Sequence, residues 1–110
     1  MVIVGLGGND LLGGRSTTQF DDDIRALLAS VSGRGNRVLM FELPLLPFQN
    51  GVGRAQRSAC RDYGVELIPR HVLARAIAWP GHTTDGLHLS PKGHVWLANR
   101  MAVLWLGAPD

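Results

Sequence analysis

The stretch that decides the fold is Val2–Gly14, VIVGLGGNDLLGG. Its first residues, Val2–Leu6, form a short apolar run with no strict alternation of apolar and polar positions. Such a run reads as a strand buried on both faces of a parallel sheet. Five of the thirteen residues in the stretch are glycine. Glycine lets the backbone turn sharply and lets another group approach closely. Asn9 and Asp10 follow the densest of the glycines, just beyond the strand.

Working outward, two further apolar runs stand out: Arg37–Leu43 (RVLMFEL) and Val65–Pro69 (VELIP). Helical patterns lie between them. Thr17 or Thr18 can cap a helix whose first turn would carry Asp21, Asp22 and Asp23, favourable at the positive end of the helix dipole. Phe20, Ile24, Leu27, Leu28 and Val31 then recur at helical spacing, and Gly33 or Gly35 ends the element. A second helix is predicted from about Gly53 to Tyr63, closed by Gly64, and a short one over His71–Ala78. The last is the clearest, with Ser90 as cap, Pro91 at the first position and apolar residues through Trp105. Strand, helix, strand, helix, strand, helix is an α/β order with parallel strands and right-handed crossovers. Ligands meet such sheets at the carboxyl ends of their strands, which is where the glycine loop falls.

Bulk properties narrow the classes. A chain of 110 residues is one domain, residues 1–110. With 45% hydrophobic and 18% charged residues, it is globular in composition. The net charge is +2, and ten of the eleven basic residues are scattered arginines. No block of them would track a phosphate backbone, so nucleic acid is not an expected partner. No apolar run reaches the ~18–20 residues that span a bilayer, so no integral membrane segment is expected. The single cysteine, Cys60, cannot form an internal disulfide and reads as a small core residue.

The glycine loop fails as a nucleotide site. Gly5-x-Gly7 begins a dinucleotide fingerprint, but Asp10 stands where the third glycine belongs, and a carboxylate there repels a pyrophosphate. No phosphate-binding G-x-x-x-x-G-K-[ST] run occurs. Read alone, Asn9 and Asp10 form an Asx-type turn, or Asn9 aims its amide at a developing oxyanion. A second stretch, TDGLHLSPKGH (Thr84–His94), places Asp85 three residues before His88 in a glycine-containing loop. A carboxylate on one imidazole nitrogen fixes the tautomer, leaving the other as a general base; a histidine beside a helix start can equally be exposed or cap-associated. His82, Asp85 and His88 are equally spaced, as metal ligands can be. Nothing in a loop makes them converge, so no metal is expected. His71 and His94 read as surface or half-buried residues.

Together the two stretches resemble the SGNH hydrolase family, also called GDSL lipases or esterases. Gly7-Gly8-Asn9-Asp10 is similar to that family's G-x-N-D block after a strand. Asp85-Gly86-Leu87-His88, followed by a helix with an early glycine, is similar to its D-x-x-H block. The resemblance covers essentially the whole chain, on the side of the lysophospholipase and arylesterase-like branch. It implies a three-layer α/β/α, flavodoxin-like parallel sheet, of which this chain supplies about the last three strands and their helices. It also implies a serine ester hydrolase without cofactor acting on a small-molecule ester. His88 would be the base, Asp85 its orienting partner and Asn9 the oxyanion donor, with Gly7, Gly8 and Asp10 around the substrate. Leu45, Leu46 and Phe48 could line an acyl pocket, or cover the core.

The family's G-D-S nucleophile block is absent. Ser16, Ser30, Ser32, Ser58 and Ser90 are the only serines, and none follows Gly-Asp. The chain is therefore expected to be the carboxyl-terminal part of a longer hydrolase, inactive alone. The alternative is a hydrolase-derived module that binds without turnover. The first strand would lack its usual neighbour, and two copies could pair through that open edge.

Overall fold

The structure is a computed structural model describing residues 1–5, 16–33, 35–42, 50–84, 88–107 and 109. It contains strands β1 (Val2–Val4), β2 (Val38–Phe41) and β3 (Glu66–Ile68). Its helices are α1 (Thr17–Val31), α2 (Asn50–Asp62), α3 (Arg70–Ala78) and α4 (Pro91–Trp105). The chain divides into two compact units, residues 1–70 and 71–110, which are described in turn.

The first unit is built on one parallel sheet in the order β1-β2-β3. Val2, Ile3 and Val4 stand opposite Val38, Leu39 and Met40; Leu39, Met40 and Phe41 stand opposite Glu66, Leu67 and Ile68. This is the expected α/β arrangement of parallel strands, and consecutive strands sit side by side. Right-handed crossovers that step in one direction place their helices on the same face. Phe20, Ile24 and Leu28 of α1 accordingly share a core with Val52, Ala59 and Cys60 of α2 and with Val4, Val38 and Met40 of the sheet. Leu39, of opposite pleat to Val38 and Met40, is fully buried as well. Burial on both faces explains why VLMF carries no alternation.

Polar contacts tie these layers at their rims. Arg25 of α1 bonds Asp21 at 3.0 Å, and Asp62 of α2 at 2.8 Å. The buried Gln56 donates its amide to the Phe41 carbonyl at 3.0 Å, fixing α2 to the carboxyl end of the central strand. Arg37 and Glu66 form a two-pronged pair across the strands, both contacts at 2.9 Å. That guanidinium holds the Glu66 carboxyl below its ordinary range. Cys60 is buried against Met40, and burial pushes its thiol up to about 11.

The sequence reading needs two corrections here. Ile3 of β1 is 46% exposed, so that strand is not buried on both faces as its lack of alternation suggested. The cap of α1 is Ser16, not Thr17 or Thr18. The Ser16 hydroxyl accepts the Gln19 N–H at 3.1 Å, and the Gln19 side chain accepts the Ser16 N–H at 2.9 Å. Ser-x-x-Gln is a reciprocal capping box, which satisfies two orphan backbone donors where a lone threonine satisfies one. The helix therefore starts a turn earlier than the acidic run, and no acidic residue lies in its first turn. Asp21 serves instead as an i,i+4 partner for Arg25.

In the second unit, α3 is followed by a loop and then by α4, whose bounds match the Ser90–Pro91 signal. Val72 and Ala76 of α3 and Gly93, Leu97 and Met101 of α4 are buried. No described helix is long and apolar enough to cross a membrane.

Candidate functional site

The segment before α4 is organised by its backbone. The Ser90 N–H donates to the His82 carbonyl at 2.6 Å. Thr83 and Leu89 form an antiparallel bridge. The Thr84 N–H donates to the His88 carbonyl at 3.0 Å. These three pairings, 82 with 90, 83 with 89 and 84 with 88, keep one register. They are the successive rungs of a small hairpin that leads out of α3 and back into α4. His88 is the first described residue on its return side, and it is solvent-exposed.

Ser90 closes the base of this hairpin. Its hydroxyl donates to the Gly81 carbonyl at 2.6 Å and accepts the Gly93 N–H at 3.1 Å. One side chain thus caps α4 and ties it to the outgoing limb. Pro91 follows at the first helical position, where a missing N–H costs nothing. Gly93 is needed for a different reason. A side-chain carbon there would collide with the His82 carbonyl oxygen, and would lie 3.0 Å and 3.1 Å from the His82 C and Cα atoms. The early glycine of this helix is a close-approach residue.

Sequence reasoning weighed His82 only as a metal ligand, and its actual role went unseen. It is 2% exposed. Its Nδ1 lies 3.0 Å from the Ala76 carbonyl. Its ring is in tilted contact with those of Trp79 and Trp96, with centroids 6.4 Å and 5.7 Å away. The one available signal was aromatic: a tryptophan three residues before the histidine in WPGH, and another one turn into the next helix. Among the described residues no three His, Cys, Asp or Glu side chains gather as a metal site would need. His71 and His94 are exposed.

Asn9, Asp10, Gly7, Gly8 and Asp85 lie outside the described residues, as do Leu45, Leu46 and Phe48. Of the proposed catalytic set, His88 is the member whose setting is described.

Among the described residues, each unit has a hollow. A cavity of about 330 Å³ in the second unit is lined by Arg75, Ala78, Trp79 and Trp96. A shallower one of about 380 Å³ in the first lies between the start of α1 and α2, around Thr17, Asp21, Arg25 and Arg54.

The model of the GDSL-like lipase/acylhydrolase family matches residues 1–96. No curated protein matches the chain.

Proposed function

Because the chain belongs to the GDSL-like lipase/acylhydrolase family and is a hydrolase of the SGNH type at that level, we propose that it serves serine-dependent hydrolysis of a carboxylic ester, with His88 as general base. The observation that supports this most directly is the hairpin. Its three rungs hold the His88 backbone at the mouth of α4, on the return side of the loop that also contains Asp85 in sequence.

In this reading Asp85 orients the imidazole and stabilises its charged form. A serine hydroxyl attacks the ester carbonyl carbon as its proton passes to His88. The new C–O bond forms while the carbonyl π pair moves onto oxygen, where the Asn9 amide donates a hydrogen bond. Collapse of that intermediate breaks the ester C–O bond, and the leaving alkoxide takes the proton from His88. Water then repeats both steps on the acyl-enzyme and releases the acid. None of the five serines in this sequence sits in a Gly-Asp-Ser run, so the nucleophile is assigned to no residue here. No metal or organic cofactor enters the scheme, and the substrate is a small-molecule ester.

The missing Gly-Asp-Ser run favours a second reading, a hydrolase-derived module that binds a ligand or partner without turnover. Intact mass of the natively expressed protein, before and after a fluorophosphonate probe, separates the two. One added probe on the native protein is expected for the hydrolase; a mass of 11.9 kDa with no adduct would mean no reactive serine and would put the binding module first. In the active protein, His88→Ala should abolish turnover of a p-nitrophenyl ester, and substantial residual activity would sink the base assignment.

A further inference from the structure

Gln56, His82 and Ser90 are the buried polar side chains among the described residues. Gln56 and Ser90 are accounted for by the backbone groups they bind. His82 is the unusual one, because an imidazole is costly to take out of water unless its polar atoms are bonded. It has no part in the hydrolytic scheme, yet each of its polar backbone groups and its Nδ1 is engaged.

The acceptor opposite Nδ1 is the Ala76 carbonyl, 3.0 Å away. A carbonyl oxygen has no proton to give, so Nδ1 must be the donor. Ala76 lies in the last turn of α3, where carbonyls lack a helical partner. His82 thus closes the end of one helix with its ring. Its backbone N–H donates to the Trp79 carbonyl at 3.1 Å, and its carbonyl accepts the Ser90 N–H at the start of the next helix. Ring contacts with Trp79 and Trp96 limit its freedom. A Cβ at Gly93 would overlap the His82 carbonyl, so α4 already lies close against the His82 backbone.

From this geometry we infer that His82 is a positioning residue for His88: it anchors the base rung of the hairpin whose third rung carries the His88 backbone. The inference rests on the reading of His88 as the catalytic base. A general base must stand within about 2.6–3.2 Å of the proton it takes. A displacement of ~1 Å, transmitted from a residue that never touches substrate, can cost ~10²-fold in rate. The rungs at 83–89 and 84–88 are the path along which a shift at His82 reaches His88.

The test compares His82→Phe and His82→Asn in the whole, natively expressed protein, with His88→Ala as the reference. Phenylalanine keeps a ring of similar size without the donor. Asparagine places an amide nitrogen near the position of Nδ1 and can still donate to Ala76. For His82→Phe, kcat for a p-nitrophenyl ester should fall by about 10- to 100-fold per folded molecule with KM within about twofold. Amide exchange at Thr84 and Ser90 should quicken by about tenfold or more while that of Leu97 and Met101 is unchanged. His82→Asn should recover most of both. Unchanged kcat in His82→Phe beside an inactive His88→Ala would overturn this inference alone. So would equal losses in the two His82 variants, or exchange that quickens uniformly along α4, which is mere destabilisation. Turnover retained by His88→Ala, or absent from the unaltered protein, would refute the base assignment and this inference together.

Discussion

Gly93→Ala separates two opposed effects whose sizes the structure sets. Gly93 is the third residue of α4, and helix propensity alone would make alanine better there by up to about 1 kcal/mol. Against this stands the His82 carbonyl, into which the new methyl would run, with the His82 C and Cα atoms only 3.0 Å and 3.1 Å away. These are backbone atoms of a residue that is 2% exposed and bonded through its ring, so they cannot swing aside as a flexible side chain would. Overpacking of this kind costs about 1–3 kcal/mol. Pushing the two limbs apart also strains the Ser90-to-His82 hydrogen bond, worth about 0.5–1.5 kcal/mol. The collision wins, and a net loss of about 1–3 kcal/mol is expected. At this chain length that corresponds to a Tm lower by roughly 4–12 °C, read by circular dichroism. Gly51→Ala is the control. It also lies in the first turn of a helix, but its new methyl would meet only the Thr17 side chain at 3.4 Å and 3.6 Å. It should leave Tm unchanged or raise it. A Gly93→Ala protein at least as stable as the parent would refute the close-approach argument, because propensity would then have been the larger effect.

Three other outcomes follow from the same contacts. Ser90→Ala removes a cap and leaves the Gly81 carbonyl and Gly93 N–H without it, so thermal unfolding should show a loss of about 0.5–2 kcal/mol. Cys60 should resist iodoacetamide at pH 8 in the native protein and react quickly in denaturant, since burial holds its thiol near 11. Because the folded state keeps that proton more tightly than the unfolded one, the stability tied to Cys60 is full below the ordinary thiol range. It is lost as pH rises from there through about 11, and alkaline unfolding of Cys60→Ala should lack that contribution. Replacing Asn9 by Ala in the active protein should lower kcat by about 10²–10³-fold if its amide serves the oxyanion; an unchanged kcat would make it a turn residue only.

Much of the fold was legible because several residues carried one message at once. Ser90, Pro91 and the apolar spacing to Trp105 all mark one helix, and its bounds are as read. RVLMFEL was legible as a buried strand because burial on two faces removes alternation, and Leu39 between Val38 and Met40 shows that removal directly. The start of α1 was misread because Ser16, Thr17 and Thr18 are all plausible caps. The choice among them depends on Gln19 three residues after Ser16, a pairing that single-residue cap preferences do not contain. Contact-defined roles were illegible for a deeper reason. What fixes His82 is an acceptor six residues back, a donor eight residues on and a tryptophan on another helix, and no local pattern encodes all three.

The D-x-x-H block and the helix that follows it are therefore coupled through backbone geometry. His88 to Ser90 is two residues because the cap must return to the His82 carbonyl one rung after the 83–89 bridge. Ser90 to Gly93 is three because a cap hydroxyl reaches the third helical N–H. Gly93 is glycine because that same N–H lies where α4 presses on His82. Each spacing is set by the residue it must reach, and together they carry His88 on a short, pinned limb instead of a free loop. In the proposed scheme, where the His88 imidazole takes and returns a proton within one turnover, that is a gain, since the ordering is completed when the chain folds and need not be repeated at each encounter with substrate.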